Sequence, residues 1–338
     1  MIGLGIESSC DETSIAIVEN GHKLRSLQIF SQIEMHTKFR GVVPELASRA
    51  HLEKINSLLD RALKESGLEL KEIDYISFAN RPGLVGSLMI GAQMARVLSF
   101  CLNKPIITVD HLEAHLSAIQ LEGKKVDYPY LGLLLSGGNS AIFLVEGPGK
   151  MKTIADTLDD ALGECFDKAS SILDLPYPGG PVIEKFANQH RATKGEKKIF
   201  PKLLPSNSPE IFHFSYSGLK TSVLYYVQKH PGYKENLPEI CYYFQESAFE
   251  LVVRNCLLAI ERTGVRTLVA AGGVLANETL RKKIKNVSLK KNFSFHFPEK
   301  KIYCTDNGAM VACLAYHFFT AGKFSSLDFP IAPSRENF

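Results

Sequence analysis

Apolar and polar positions along the 338-residue chain follow two periods, and the change from one to the other marks out the elements. The chain opens with an apolar run at 2–6, a polar cluster at 7–13 and a second apolar run at 14–19. Asn20-Gly21 then predicts a hairpin turn into a third strand over 23–31. The same succession returns near the middle of the chain. A run at 130–135 meets the polar turn Ser136-Gly137-Gly138-Asn139-Ser140, a run at 141–146 meets Gly147-Pro148-Gly149, and a third run covers 151–156. An offset of roughly 130 residues between two such patterns predicts a duplication, with two similar sheets facing each other across a cleft.

Helical spacing covers 43–67, 84–102, 158–173, 182–189, 238–263, 277–284 and 309–319, and buried strands are expected over 73–79, 105–109 and 266–271. Tyr177-Pro178-Gly179-Gly180-Pro181 reads as a rigid loop. The stretch 190–208, rich in charge and proline, reads as an exposed connection. The expected lobes are 1–109 and 110–305, with 306–338 as a C-terminal helix and tail packing back on the lobe interface.

A hydrophobic share of 45% with 22% charged residues describes a globular α/β chain of two lobes. The most apolar helix, 84–102, contains Gln93 and Arg96, so a core helix is expected and no membrane partner. Met1 leads straight into a strand with no basic leader, which predicts a cytoplasmic protein. Seven scattered cysteines without a CxxC pair predict reduced thiols. The net charge is only +3, but 281–301 carries Arg281, Lys282, Lys283, Lys285, Lys290, Lys291, Lys300 and Lys301 against Glu299 alone. That stretch is either a solvated face or a surface for nucleic acid.

The clearest chemistry lies in His111-Leu112-Glu113-Ala114-His115. Positions i and i+4 share one helix face, so both imidazoles reach one point, with Asp110 as the cap and Glu113 pointing off the histidine face. A zinc-protease motif would place its glutamate directly after the first histidine, and this chain does not. Two solvated surface histidines are the alternative. A third ligand is available in Asp306, beside the start of the 309–319 helix, where its plain role would be an N-cap; together the three make a 2-His-1-carboxylate set. Glycines in 136–140 and at Gly272-Gly273 let backbone amides approach an anion or a nucleoside; the alternatives are an ordinary hairpin turn at 136–140 and a strand-to-helix turn without a ligand at Gly272-Gly273. The acids of 7–13, Glu12 among them, suit a metal or a proton transfer, and solvated turn residues are the alternative. Asp167 is either a surface acid or a hydroxyl-binding carboxylate.

Gly5-Ile6-Glu7-Ser8-Ser9-Cys10-Asp11-Glu12-Thr13, Gly41-Val42-Val43-Pro44-Glu45-Leu46-Ala47-Ser48-Arg49, the HxExH stretch, Ser136-Gly137-Gly138, Pro178-Gly179-Gly180-Pro181, Gly272-Gly273-Val274 with Asn277, and Cys304-Thr305-Asp306-Asn307-Gly308-Ala309 carry a resemblance. Over essentially its whole length the chain resembles the universal tRNA threonylcarbamoyladenosine transferase family, formerly the Gcp or O-sialoglycoprotein endopeptidase family. The resemblance implies an actin-like (ASKHA) two-lobed fold. It implies transfer of a threonylcarbamoyl group from threonylcarbamoyl-AMP to N6 of adenosine 37 in tRNAs that read codons beginning with A. It makes His111, His115 and Asp306 the ligands of one divalent metal ion, with iron favoured over zinc; the candidate catalytic residue, Glu12, rests on the acidic 7–13 turn alone. Leu134, Leu135, Ser136, Gly137, Gly138, Asp167, Gly180 and Asn277 fall on substrate-contacting positions. The implied partners are tRNA, a smaller actin-like paralogue and a small P-loop ATPase. A non-catalytic scaffold subunit of the same complex is the alternative. The sequence departs from the family pattern at Asn139-Ser140, at Ser170-Ser171 and at Glu184, where an aspartate is frequent.

Overall fold

From Gly3 to Glu7 every residue is buried, the mark of a strand covered on both faces. This strand, β1 (Ile2–Glu7), pairs antiparallel with β2 (Glu12–Glu19), which pairs antiparallel with β3 (Lys23–Ser31). A short helix, α1 (Ile33–Thr37), precedes α2 (Pro44–Ser66), which has proline in its first turn and stops at Gly67 with φ 69°. β4 (Tyr75–Arg81) returns parallel to β1, α3 (Val85–Leu102) crosses over, and β5 (Ile106–Asp110) joins parallel to β4. α4 (His111–Ser117) follows at once. The resulting order is β3-β2-β1-β4-β5.

The second sheet repeats this plan. β6 (Tyr130–Leu135), β7 (Ser140–Gly147) and β8 (Lys150–Ala155) come first, then α5 (Leu162–Ile172), α6 (Gly179–Ala187), α7 (Ser217–Lys229) and α8 (Leu237–Thr263). β9 (Thr267–Ala271) lies parallel to β6, and α9 (Glu278–Lys291) leads to β10 (Ser294–His296), parallel to β9. The order β10-β9-β6-β7-β8 is the first order again, with β6 in the place of β1 and β9 in that of β4. The duplication expected from the hydrophobic pattern is therefore present in strand order and direction.

The structure, a computed structural model, describes residues 1–39, 41–191, 199–200, 203 and 213–334. Most of the expected connection 190–208 lies outside them. The chain divides into one unit of 1–127, 147–150 and 298–338, and a second of 128–146 and 151–297. The expected boundaries at 109/110 and 305/306 both fall inside the first unit. The reason is a shared core: Ala114 and Ala118 pack with the small side chains of the last helix, α10 (Gly308–Thr320), against Tyr75 and Val109. Gly5 and Gly308 make the close approach possible, because a Cβ on either would collide with the backbone carbonyl of the other.

Several elements differ from expectation. The polar cluster 7–13 gives Glu7 to β1 and Glu12 and Thr13 to β2, leaving 8–11 as the turn, so Glu12 opens β2 opposite Ser31. The expected loop 177–181 is half helix: α6 starts at Gly179, with Pro181 in a first turn that needs no N–H from it. The helix at 158 starts only at Leu162, α9 runs seven residues beyond its expected end at 284, and α7 and β10 were not expected at all. α3 is long and apolar enough to qualify as a membrane span by length and composition, yet Leu88, Ala92 and Ala95 pack in the core of the first unit while Val97 and Phe100 are exposed. It is a core helix on one face.

Candidate metal centre and ligand cradle

The metal candidates sit where β5 ends. Asp110 Oδ1 accepts from the amides of Leu112 and Glu113 at 3.0 and 3.1 Å, so the expected cap is present and α4 begins at His111. His111 and His115 are 7% and 1% exposed, which removes the alternative of a solvated pair. Their rings stand edge to face with centroids 4.6 Å apart. Glu113 points elsewhere, accepting from the Gly149 amide at 2.6 Å.

Asp306 does not cap α10. Asn307 does, its Oδ1 accepting from Met310 N at 3.0 Å. Asp306 is thereby released to meet His115 Nε2 at 2.9 Å and His111 Nε2 at 3.7 Å. One ligand atom from each of the three residues lies within 4.8 Å of the others. Two imidazoles and a carboxylate are the donor chemistry of a divalent first-row ion, and these residues fit one. The buried His115 Nδ1 has no hydrogen-bond partner among the described residues.

Behind the cluster stands a residue the sequence pattern hid in a turn. Glu7 is fully buried; its Oε2 accepts from His111 Nδ1 at 2.9 Å and its Oε1 from Ser9 N at 2.6 Å. Ser9 Oγ lies 3.2 Å from the same Nδ1. Burial disfavours a cationic His111, but Glu7 and Asp306 override it and lift the imidazole to about 9. Burial likewise works against an ionised Asp306, yet His111 and His115 hold it at about 2. Burial, with Asp306 and Asp11 beside it, pushes Glu12 up to about 10. A bound cation would pull Glu12 back down.

The second unit supplies a different surface. β6 and β9 are parallel neighbours, and beyond their carboxyl ends lie the glycine turns, the usual place for a ligand in such sheets. Gly272 has φ 98°, and a Cβ there would meet the Leu135 carbonyl. Gly163 N and Glu164 N donate to the carbonyls of Ser136 and Gly137 at 3.2 and 3.1 Å, tying the turn to α5. Gly137, Gly138, Gly180 and Gly273 face open space. Leu134 and Leu135 are fully buried, backbone included, and form the floor beneath the glycine turns. Ser136 Oγ accepts from Asn139 N at 3.1 Å, and Asp167 Oδ1 from Gly179 N at 2.7 Å. Asn277 caps α9 through Leu280 N at 3.0 Å and donates to Gln245 Oε1 at 2.9 Å. Glu184 accepts from Glu278 N at 2.9 Å.

Two five-stranded sheets of one topology define an actin-like α/β protein of the ASKHA class. The fold is shared with full-length HypF in its phosphate- and nucleotide-bound form, with TM-score 0.60 and 14% identity over 96% of this chain and 47% of that one. It is shared too with the activator of the 2-hydroxyisocaproyl-CoA dehydratase from Clostridium difficile with bound ADPNP, with TM-score 0.53 and 13% identity over 96% and 97%. Residues 23–313 match the family model described as TsaD: tRNA N6-adenosine threonylcarbamoyltransferase. Relatives with that name are 51% identical in Leptospira interrogans, over 99% of both chains, and 42% identical in Dictyoglomus turgidum, over 97% of this chain and 96% of the other. The chain belongs to the TsaD family of tRNA N6-adenosine threonylcarbamoyltransferases. It is a transferase of tRNA modification, and the alternative of a non-catalytic scaffold is set aside.

Proposed function

We propose that the chain transfers the threonylcarbamoyl group of threonylcarbamoyl-AMP to N6 of adenosine 37 in tRNAs reading codons that begin with A. The convergence of His111, His115 and Asp306 supports this most strongly, because two buried imidazoles and a carboxylate lie within 4.8 Å of one another as a metal's donor set would. These three would hold one divalent ion, Fe2+ in preference to Zn2+, and when bound it supplies Lewis acidity to a carbonyl or phosphoryl oxygen. In the transfer, the N6 lone pair forms a bond to the carbamoyl carbon, the bond from that carbon to the phosphate oxygen breaks, AMP leaves and N6 loses one proton. Glu12, at the head of β2, is the residue we assign to that proton. The amides and open glycines of 136–138, Gly180 and Gly273 take the adenylate, with Asp167 and Asn277 at its edge and the buried Leu134 and Leu135 as the floor beneath. Glu184 is left out, since its carboxylate serves the N-terminus of α9.

The reaction is expected in the cytoplasm, with a smaller actin-like paralogue and a small P-loop ATPase as partners. The test is transfer in vitro: unmodified tRNA, threonylcarbamoyl-AMP and the purified partners, with nucleoside mass analysis. Threonylcarbamoyladenosine appears with this chain and not without it. Its absence from reactions containing folded, metal-loaded protein would refute the assignment. Metal analysis of protein purified without oxygen distinguishes iron from zinc.

A further inference from the structure

The carboxylate of Glu7 is placed where a metal-binding histidine needs a partner. A histidine that ligates through Nε2 must be neutral and must carry its proton on Nδ1, and an acceptor at Nδ1 fixes both the tautomer and the ring plane. His111 presents Nε2 towards Asp306, 3.7 Å away, and its Nδ1 lies 2.9 Å from Glu7 Oε2. The carboxylate itself cannot swing. Oε1 is held by Ser9 N at 2.6 Å, and the side chain has no exposure to solvent.

The strand pair carrying Glu7 also places the opposite ligand. Glu7 is the last residue of β1 and is in register with Ser14 of β2. Ser14 Oγ accepts from the Gly308 amide at 2.9 Å, two residues beyond Asp306, and donates to the Gln28 carbonyl at 2.8 Å. One rung of the β1–β2 ladder thus holds His111 on one side and the start of α10 on the other.

We infer that Glu7 is a positioning residue of the metal centre, holding the Nδ1 proton of His111 so that Nε2 is offered to the ion. The inference rests on the metal reading above. A buried carboxylate that served only the fold would have no need to meet the ring at the nitrogen away from Asp306.

The probe is Co2+, titrated against a chelator, with binding followed by the ligand-field absorption of the ion. Glu7→Gln keeps the shape of the side chain and removes the charge, and it should weaken Co2+ binding by about 10- to 100-fold and shift that absorption. Equal affinity and an unchanged spectrum in a folded Glu7→Gln protein would overturn the inference, even if its melting temperature fell. Should that variant fail to fold, the wild type decides: 15N spectra of the histidine-labelled, Zn2+-loaded protein should show His111 with its proton on Nδ1, and a proton on Nε2 would refute the proposal. If wild type takes up no Co2+, the metal assignment itself falls and this inference with it.

Discussion

Glycine residues at the cradle separate a folding requirement from a binding one. Gly272 has φ 98° and sits against the Leu135 carbonyl, so Gly272→Ala should cost more than about 1 kcal/mol through strain alone. Gly137 and Gly180 face open space at ordinary φ, so Gly137→Ala and Gly180→Ala should leave stability within about 0.5 kcal/mol. What they add is a methyl group where the adenylate is proposed to lie. Calorimetry with AMP should show weaker binding in both variants, while thermal melts match wild type; unaltered AMP affinity would remove these glycines from the site. The same separation holds for Asp306. Because Asn307 caps α10, Asp306→Ala removes a ligand and no cap, and the protein should stay folded while losing its metal and most transferase activity. Retained activity without metal would contradict the assignment.

At the scale of elements, the hydrophobic pattern is a good guide wherever polarity and exposure coincide, and it fails where polar residues are buried and satisfied. The cluster 7–13 reads as a turn because it is polar, yet Glu7, Thr13 and the neighbouring Ser14 are buried strand residues with partners in His111, His51 and the Gln28 carbonyl. None of these partners is near in sequence, so no local pattern names them. The i, i+4 histidines are legible because a helix brings them together by its own geometry; the pairing with Asp306 crosses 191 residues and is legible only as a missing third ligand. Asp159 shows the same limit at a helix start. It falls in the stretch expected as helix, but its carboxylate accepts from Tyr216 N, Ser217 N and the hydroxyls of Ser215 and Ser217, capping α7 from a distance. Burial opposes its ionisation, and these donors nevertheless hold its pKa below the usual carboxylate range. A carboxyl depressed in the folded state stabilises above its unfolded pKa of about 4, and that contribution fades as pH falls below it. Asp159→Ala should therefore lower stability more at neutral pH than in acid. Urea melts at the two pH values check this, and an equal cost at both would show that the charge is not involved.

For the molecule as a whole, a net charge of +3 gives little general attraction for tRNA, so any attraction must be local. The 281–301 stretch is a long basic run with a single acid, but the structure divides it. Lys300 and Lys301 belong to the first unit and the rest to the second. Within α9, Lys283 is paired with Glu246 at 2.6 Å and Lys282 with Glu278 at 3.4 Å, while the Arg281 guanidinium lies 4.8 Å from the centre of the Phe297 ring. Lys285, Lys290 and Lys291 are exposed and have no ion pair among the described residues. Charge reversal at Lys282 or Lys283 would break an internal ion pair along with any bond to a phosphate, whereas Lys285, Lys290 and Lys291 are open to a polyanion at no such cost. If this face receives tRNA, replacing those three by Glu should weaken binding and lower the log–log salt slope by about one for each phosphate that is no longer neutralised, because each neutralised phosphate releases counterions. Metal content and AMP affinity should not change, since neither site includes these side chains. Filter binding at several salt concentrations reads the slope directly. A slope equal to that of wild type would place the tRNA surface away from α9, on another face of this chain or on a partner subunit.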